Sequence, residues 1–431
     1  MTGKEKIIEI TIEAIAAGGD GIAQHEGHPV YVPKTAAGDT VRAVITEKNA
    51  QGSYASLQEI LESGPARMAP PCSFYTRCGS CSLQHISPEA YRHWKVERVQ
   101  TTLAKNGITP EIFDPPHFIH AASRRRATFT ARRTKAGLIF GYNQSRSHVI
   151  EDISRCIILA PALDEKLQAL RKPLAALMNV GDVLDVLLQK VGSGFDMLLT
   201  GPLKNKDRLS YDQNEALSAI MNLGIARIAH RPKINSAPET LLNQGAVMKN
   251  FGMLSVAIPP GAFLQASDEG EDALVHAVLD YAGAAPGPSA DLFCGAGTFS
   301  GYLAGRVPKL YAADSEGASL GALKTACRNA AHISVQKRDL FKNSLSVDEL
   351  SAFSCVVFDP PRAGAMGQAQ ALAGSSVARV IAVSCNPATF ARDAKILQEG
   401  GYALRRLRVI DQFVYSAHVE IVALFTRGSN S

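Results

Sequence analysis

The sequence is poor in the features that would carry a chain into a membrane, out of the cell or into disorder. No stretch of its 431 residues approaches the ~20 unbroken apolar positions of a membrane helix, and the opening MTGKEKIIEI lacks the apolar run of a signal peptide. A soluble, cytoplasmic protein with no membrane partner is the expectation. Low-complexity tracts and internal repeats are also missing, and 46% hydrophobic against 20% charged residues is the balance of a folded, multidomain chain. Net charge is scarce too, because 45 Lys and Arg stand against 40 Asp and Glu, leaving +5. Acids are missing altogether from residues 121–150, which carry Arg124, Arg125, Arg126, Arg132, Arg133, Lys135 and Arg146, a local excess larger than that of the whole chain. Eight cysteines are present, but in a chain without a secretory signal they are not read as disulfides, since the cytosol keeps thiols reduced.

What is there divides along the chain. Residues 4–62 read as short strands separated by turns such as Gly18-Gly19-Asp20-Gly21, consistent either with a small closed barrel of the oligonucleotide-binding kind or with a plain β-rich appendage. A Pro/Gly-rich linker, SGPARMAPPC, leads into Cys72, Cys78 and Cys81, with Cys156 lying just beyond the basic stretch. Residues 88–106 read as a helix, 118–160 as strands, and 161–265 as a mixture without a motif. From about residue 270, apolar strands (ADLFC, KLYAAD, SCVVFD, RVIAVSC) alternate with helices, which implies a parallel sheet covered on both faces. LRRLRVID and HVEIVALF follow each other without a helix and are expected to close that sheet as an antiparallel hairpin.

Three motifs in this last part carry chemistry. In D-L-F-C-G-A-G-T (291–298) a strand runs straight into a turn containing Gly295 and Gly297, where an adenosine-type cofactor meets backbone amides. The third glycine of a dinucleotide fingerprint and a phosphate-gripping Gly-Lys-Ser/Thr are both absent. A cofactor without a pyrophosphate therefore fits, and S-adenosylmethionine is the common one. Asp314 ends the next strand, where it can accept from the ribose hydroxyls, with Glu316 as a competitor, and Asp339 ends the one after, where it can receive the adenine amine. Helix capping is the plain alternative for such acids. D-P-P-R-A-G (359–364) holds Asp359 on a stiff turn beside the proposed methyl donor, without selecting the target atom. S-C-N-P (384–387) puts Cys385 at a strand end next to the same site, which favours a nucleophile over a structural thiol.

Together these segments resemble the RNA uridine C5-methyltransferases, in the branch with an N-terminal TRAM domain and a [4Fe–4S] cluster, and most closely the bacterial 23S ribosomal RNA (uracil-5-)-methyltransferases. G-G-D-G-I-A (18–23), C-x5-C-x2-C with Cys156, Arg124-Arg125-Arg126, F-L-Q (263–265), the three motifs above and H-V-E (418–420) fall in the family's order. The resemblance implies an α/β class I S-adenosylmethionine-dependent methyltransferase, doubly wound and mostly parallel. It further implies an N-terminal TRAM or OB-like β-barrel and a central α+β RNA-binding domain, divided as 1–63, 64–265 and 266–431. By the same resemblance Glu420 removes the C5 proton from a Cys385–C6 adduct. Gln265, Phe293, Asp314, Asp339 and Asp359 contact the methyl donor; Thr298 stands where relatives often have Asn. Cys72, Cys78, Cys81 and Cys156 hold the cluster, with a zinc site as the competitor. The arginines 124, 125, 126, 132 and 133 are expected to meet phosphate. The expected enzyme is a monomer acting on structured RNA, 23S ribosomal RNA before transfer RNA; a catalytically inactive iron–sulfur RNA-binding protein is the rival from another class.

Overall fold

The computed structural model describes residues 6–204, 209–284 and 287–427. The chain forms two compact units: one takes the chain up to Val99 with Tyr142–Ile153 and Phe413–His418, the other takes Gln100–Gly141, Ser154–Gln412 and the chain from Val419 onward.

In the first unit the strands Ile7–Thr11, Ala14–Ile15, Gly21–His25, His28–Val32, Thr40–Asn49 and Gly52–Glu62 form one sheet. Period-2 alternation turns Ile8, Ile10, Val30, Val32, Val41 and Ala43 to a common inner side, so one curled sheet encloses its own core. The buried Asp39 fastens the exit from this barrel, accepting from the amides of Ala36 and Gly64 and from the guanidinium of Arg67.

The second unit contains a sheet ordered Gly137–Asn143, Arg126–Thr134, Val183–Val191, Gly194–Thr200, Ile225–Arg231, Glu239–Asn243. Its other large sheet places the parallel strands in the order Ile333–Lys337, Leu310–Asp314, Ser289–Leu292, Cys355–Phe358, Arg379–Ser384. SADL and CVVF are buried at every position, as strands covered on both faces must be; CVVF is apolar throughout, while the other strand buries the carboxyl of Asp291. The helix Asp268–Ala282 packs on this sheet through Leu274, Val275 and Val278; Ser267 caps its first turn and Asp268, Glu269 and Glu271 complement its dipole.

The doubly wound, mostly parallel fold is therefore present, and the last two long strands are antiparallel as expected. They do not simply close the sheet, however. The final strand, Glu420–Arg427, lies between Arg379–Ser384 and Tyr402–Asp411, and Ile112–Phe113 and His117–Phe118 then pair outside Tyr402–Asp411. Pairs of residues that short carry no periodic signal. No helix among the described residues is long and apolar enough to cross a membrane.

Candidate active site

The parallel strands deliver their last residues to one edge of the sheet, where Phe293–Gly297, Asp314, Asp359 and Cys385 follow their respective strands. Glu420 reaches that edge from the opposite direction. Its strand runs antiparallel to Arg379–Ser384 with Ile421 opposite Ser384, so the next step outward sets Glu420 against Cys385. The charge of Glu420 is accordingly felt at the Cys385 thiol.

The glycine turn is shaped for a ligand. Phe293 adopts a left-handed φ of 62°, unusual for a bulky residue, and its ring lies 5.4 Å from that of Phe341. Gly297 has φ 96°, and a Cβ there would come within 2.6 Å of Leu323, so only glycine lets the turn seat against the helix Gly317–Ala326. At Gly295, φ 55°, a Cβ would meet nothing within 4 Å, leaving open space in front of the backbone. Asp314 accepts from the amides of Gly295 and Glu316, both at 2.9 Å, and so ties the turn to the neighbouring strand end. Glu316 caps its helix through the amides of Ala318 and Ser319, and Asp339 accepts from the amides of Phe341 and Lys342, so both acids do the local capping that was the plain alternative. Thr298 is half-buried at the end of the turn.

Beneath the turn lies Asp291, wholly buried, which accepts a 2.5 Å hydrogen bond from the Ser300 hydroxyl through one oxygen while the other has no partner. Burial pushes its carboxyl up to about 7, against the pull of Ser300, and Asp359 and Asp314 add to the rise. Burial, reinforced by Asp314, likewise pushes Asp359 up to about 7. A concentration of carboxylates in a poorly solvated edge favours a positively charged ligand. The open face at Gly295, these acids and the Phe293–Phe341 pair together fit an adenosine cofactor with a cationic sulfur.

Cys385 is half-buried between the strand Arg379–Ser384 and the helix Pro387–Glu399, which Asn386 caps and Pro387 begins. Burial, then Glu420, then Asp359 push its thiol up to about 11, with Arg362 opposing. The two motif loops are fastened together. Asn386 and Thr389 donate to the carbonyl of Arg362, Arg392 donates to that of Ala363, and Asp393 accepts from the amide of Ala365. Buried Glu420 accepts a 3.1 Å hydrogen bond from Gln412 Nε2, which also donates to Gln265 Oε1 at 2.7 Å, while Gln412 Oε1 accepts from the amide of Ala266. Sequence reasoning missed Gln412. Its signal was its place just past the strand Tyr402–Asp411, in which Ile410 pairs with Glu420.

The basic stretch does not act as one surface. Arg125 is 2% exposed and turned inward, donating to the carbonyl of Gln265 at 3.0 Å, to Glu271 at 2.6 Å and to Asp268. The expectation that it meets phosphate is corrected, because its guanidinium is an internal strut behind Gln265. Arg126 lies over the exposed ring of Phe263 at 5.5 Å. Arg124 donates to the carbonyl of Arg126, Arg132 is exposed and Arg133 half-buried. None of the eight cysteines is joined in a disulfide. Cys72, Cys78 and Cys81 share one loop of the first unit, where burial raises the Cys78 thiol, Ser80 lowers it and Cys72 raises it again; Cys156 belongs to the second unit. Four thiols are suitable donors for iron, yet among the described residues no three His, Cys, Asp or Glu side chains converge as a ligand set.

Residues 254–428 match the family described as tRNA (Uracil-5-)-methyltransferase and residues 4–57 match the TRAM domain. An uncharacterized RNA methyltransferase of Brucella suis is 40% identical over 424 residues, spanning 97% of this chain and 98% of that protein. The 23S rRNA (uracil(1939)-C(5))-methyltransferase RlmD of Pectobacterium atrosepticum is 29% identical over 97% of this chain and 94% of its own length. The crystal structure of Pyrococcus abyssi tRNA (uracil-54, C5)-methyltransferase with S-adenosyl-L-homocysteine has the same fold, with a TM-score of 0.72 at 21% identity over 97% of this chain and 99% of that one. The chain therefore belongs to the S-adenosylmethionine-dependent RNA (uracil-5-)-methyltransferase family, in the form that carries a TRAM domain.

Proposed function

We propose that this enzyme methylates C5 of a uridine in 23S ribosomal RNA, with Cys385 as nucleophile and Glu420 as base. The observation that carries the reading is the strand register that sets Glu420 against Cys385 at the edge holding the glycine turn. Bound S-adenosylmethionine supplies an electrophilic methyl on a sulfonium. Uracil C5 is a poor nucleophile until the Cys385 thiolate bonds to C6, which moves the C5–C6 π pair into an enolate. C5 then takes the methyl as its bond to the sulfonium sulfur breaks. Glu420 removes the proton left on C5, the electron pair returns to the C5–C6 bond, and the Cys385 thiolate leaves. Gln412 and Gln265 hold the Glu420 carboxylate in place. Asp359 would face the positive sulfur of the bound cofactor, Asp314 would hold the ribose and Asp339 the adenine, with Phe293, Gly295, Gly297 and Thr298 lining the site. The target base must leave any stack to meet Cys385.

Similarity along nearly the whole chain to a 23S enzyme supports the ribosomal substrate; transfer RNA, the substrate named for the matching fold, is the second reading. Arg124, Arg126, Arg132 and Arg133 are the phosphate contacts in this proposal. A [4Fe–4S] cluster on Cys72, Cys78, Cys81 and Cys156 belongs to the proposal on donor chemistry, with iron and acid-labile sulfide near ~4 each per chain as the check and stoichiometric zinc as the contrary result. The mechanism is tested with RNA containing 5-fluorouridine, whose C5 keeps fluorine where Glu420 needs a proton. Wild type is expected to form a denaturation-resistant protein–RNA adduct and Cys385→Ala none. An adduct in the Ala variant contradicts the assignment.

A further inference from the structure

The barrel unit holds a cavity of about 540 Å³, within the ~300–1,000 Å³ range of small-ligand pockets, far larger than packing defects. The strand Gly52–Glu62 forms one wall, and Tyr75, Thr76 and the turn at Arg146 contribute others. Lys34, Arg67 and Arg146 line it, and among the described residues no Asp or Glu does. Arg67 is committed to Asp39 at 2.6 Å, which leaves Lys34 and Arg146 as its effective charges. Lys34 Nζ donates to the carbonyls of Tyr75 and Thr76 at 2.8 and 2.7 Å, contacts that use two of its three donors. The Arg146 guanidinium lies 4.2 Å over the Tyr54 ring, and Tyr54 stacks on Tyr31 with centroids 5.2 Å apart at 27°. Arg146 also meets Asp20 at 3.0 Å, a pair in which the guanidinium is 53% and the carboxylate 21% exposed, so an incoming phosphate reaches the guanidinium from its solvent side.

The backbone singles out the same two cations. Lys34 and Arg146 adopt left-handed φ values of 64° and 54°, a conformation costly for residues with a Cβ and kept where the surroundings impose it. Arg146 belongs to the acid-free stretch, and the methyl-transfer site assigns it no role.

We propose that this cleft binds one unpaired nucleotide of the RNA, distinct from the target uridine. Its base stacks on the tier formed by Arg146 and Tyr54, and its phosphate takes the remaining Lys34 donor. The inference rests on the reading of the protein as an RNA methyltransferase and names a contact that reading lacks. Stacking of this kind accepts any base, so the cleft selects single-stranded character more than sequence.

The test uses the full chain and a 5′-fluorescein-labelled single-stranded RNA of about ten nucleotides, with the same sequence fully paired as control. By anisotropy, Arg146→Ala, Tyr54→Leu and Lys34→Met are each expected to weaken single-strand binding by about 5- to 100-fold, with Arg146→Lys intermediate because it keeps the charge and loses the plane. Circular dichroism melting that matches wild type is expected for each variant and shows that the barrel unit carrying the substitutions is folded, while S-adenosylhomocysteine binding by calorimetry is expected to stay unchanged because its site lies in the second unit. Ultraviolet crosslinking of the wild type is expected to attach RNA to the peptide containing Tyr54. Variants that bind like wild type, crosslinks confined to other peptides, or equal losses on the paired control overturn the proposal. If wild type methylates uridine while the variants bind normally, the cleft alone fails. If wild type methylates no RNA while the variants still lose single-strand binding, the methyl-transfer reading fails and the cleft stands.

Discussion

Replacing Glu420 by Gln should make the Cys385 thiol more acidic while stopping turnover, an unusual pairing that follows from the site's electrostatics. With the thiol pushed up to about 11, well above neutral pH, the thiolate is the minor form at pH 7. Burial is the largest cause and survives the substitution; the Glu420 charge is the next and disappears, leaving Asp359. The thiol therefore titrates lower in Glu420→Gln, and each unit of that fall multiplies the thiolate population at neutral pH by ten. Gln can still accept the Gln412 hydrogen bond, so the local packing is retained. With no base for the C5 proton, turnover should fall by about 10²–10⁴ and the methylated adduct should accumulate. The assay is alkylation by iodoacetamide against pH, read by mass spectrometry on the Cys385 peptide, beside single-turnover methyl transfer. A wild-type midpoint near ~8.5, the ordinary thiol value, or a midpoint unmoved by the substitution, refutes the electrostatic reasoning. Undiminished turnover refutes the role of Glu420.

Three further outcomes are expected. Asp291 is raised from 3.8 to about 7, so the folded state holds its proton more tightly than the unfolded chain, and the stability it contributes below pH ~4 is lost as pH rises through 7, by up to about 4 kcal/mol. Asp291→Asn should therefore gain stability relative to wild type at pH 8 compared with pH 4 in urea titrations; a difference independent of pH contradicts this. Gly297→Ala should lose about 1–3 kcal/mol of stability and most S-adenosylhomocysteine affinity, measured by melting and calorimetry, since the added Cβ meets Leu323 from a left-handed backbone. Gln412→Leu should leave adduct formation on 5-fluorouridine RNA intact but slow product release about tenfold or more, because the Glu420 carboxylate loses a buried donor. An unchanged rate of adduct resolution to free methylated RNA would contradict the positioning role.

The parts of the site legible in the sequence were those written locally. Cys385, the two glycines and Asp359 each follow a short apolar strand directly, and a parallel sheet collects all such ends at one edge. Glu420 was reached in the sequence only through the resemblance carried by H-V-E, because its place opposite Cys385 depends on the register of the final strand, which no local periodicity encodes. Arg125 looked like its neighbours in an acid-free run; its inward turn depends on Glu271 and Asp268, distant in sequence, and on Gln265 needing a fixed backbone. The strand Arg126–Thr134 did carry a clue, since Ala127, Phe129 and Ala131 alternate inward and leave Arg126 and Arg132 on the other face. Gln412 and Asp291 are ordinary polar residues in apolar surroundings, and only the partners brought by folding give them roles. The cleft at Arg146 depends on left-handed backbone at two residues that are not glycine, where propensity alone argues against it.

The most direct test of the central claim is transfer of labelled methyl from S-adenosylmethionine to separated, unmodified 23S ribosomal and transfer RNA, followed by identification of the labelled base. 5-Methyluridine is expected in 23S RNA, abolished by Cys385→Ala. Label only in transfer RNA would overturn the substrate, label on any atom other than uracil C5 would overturn the mechanism, and label in no RNA would return the chain to a binding protein.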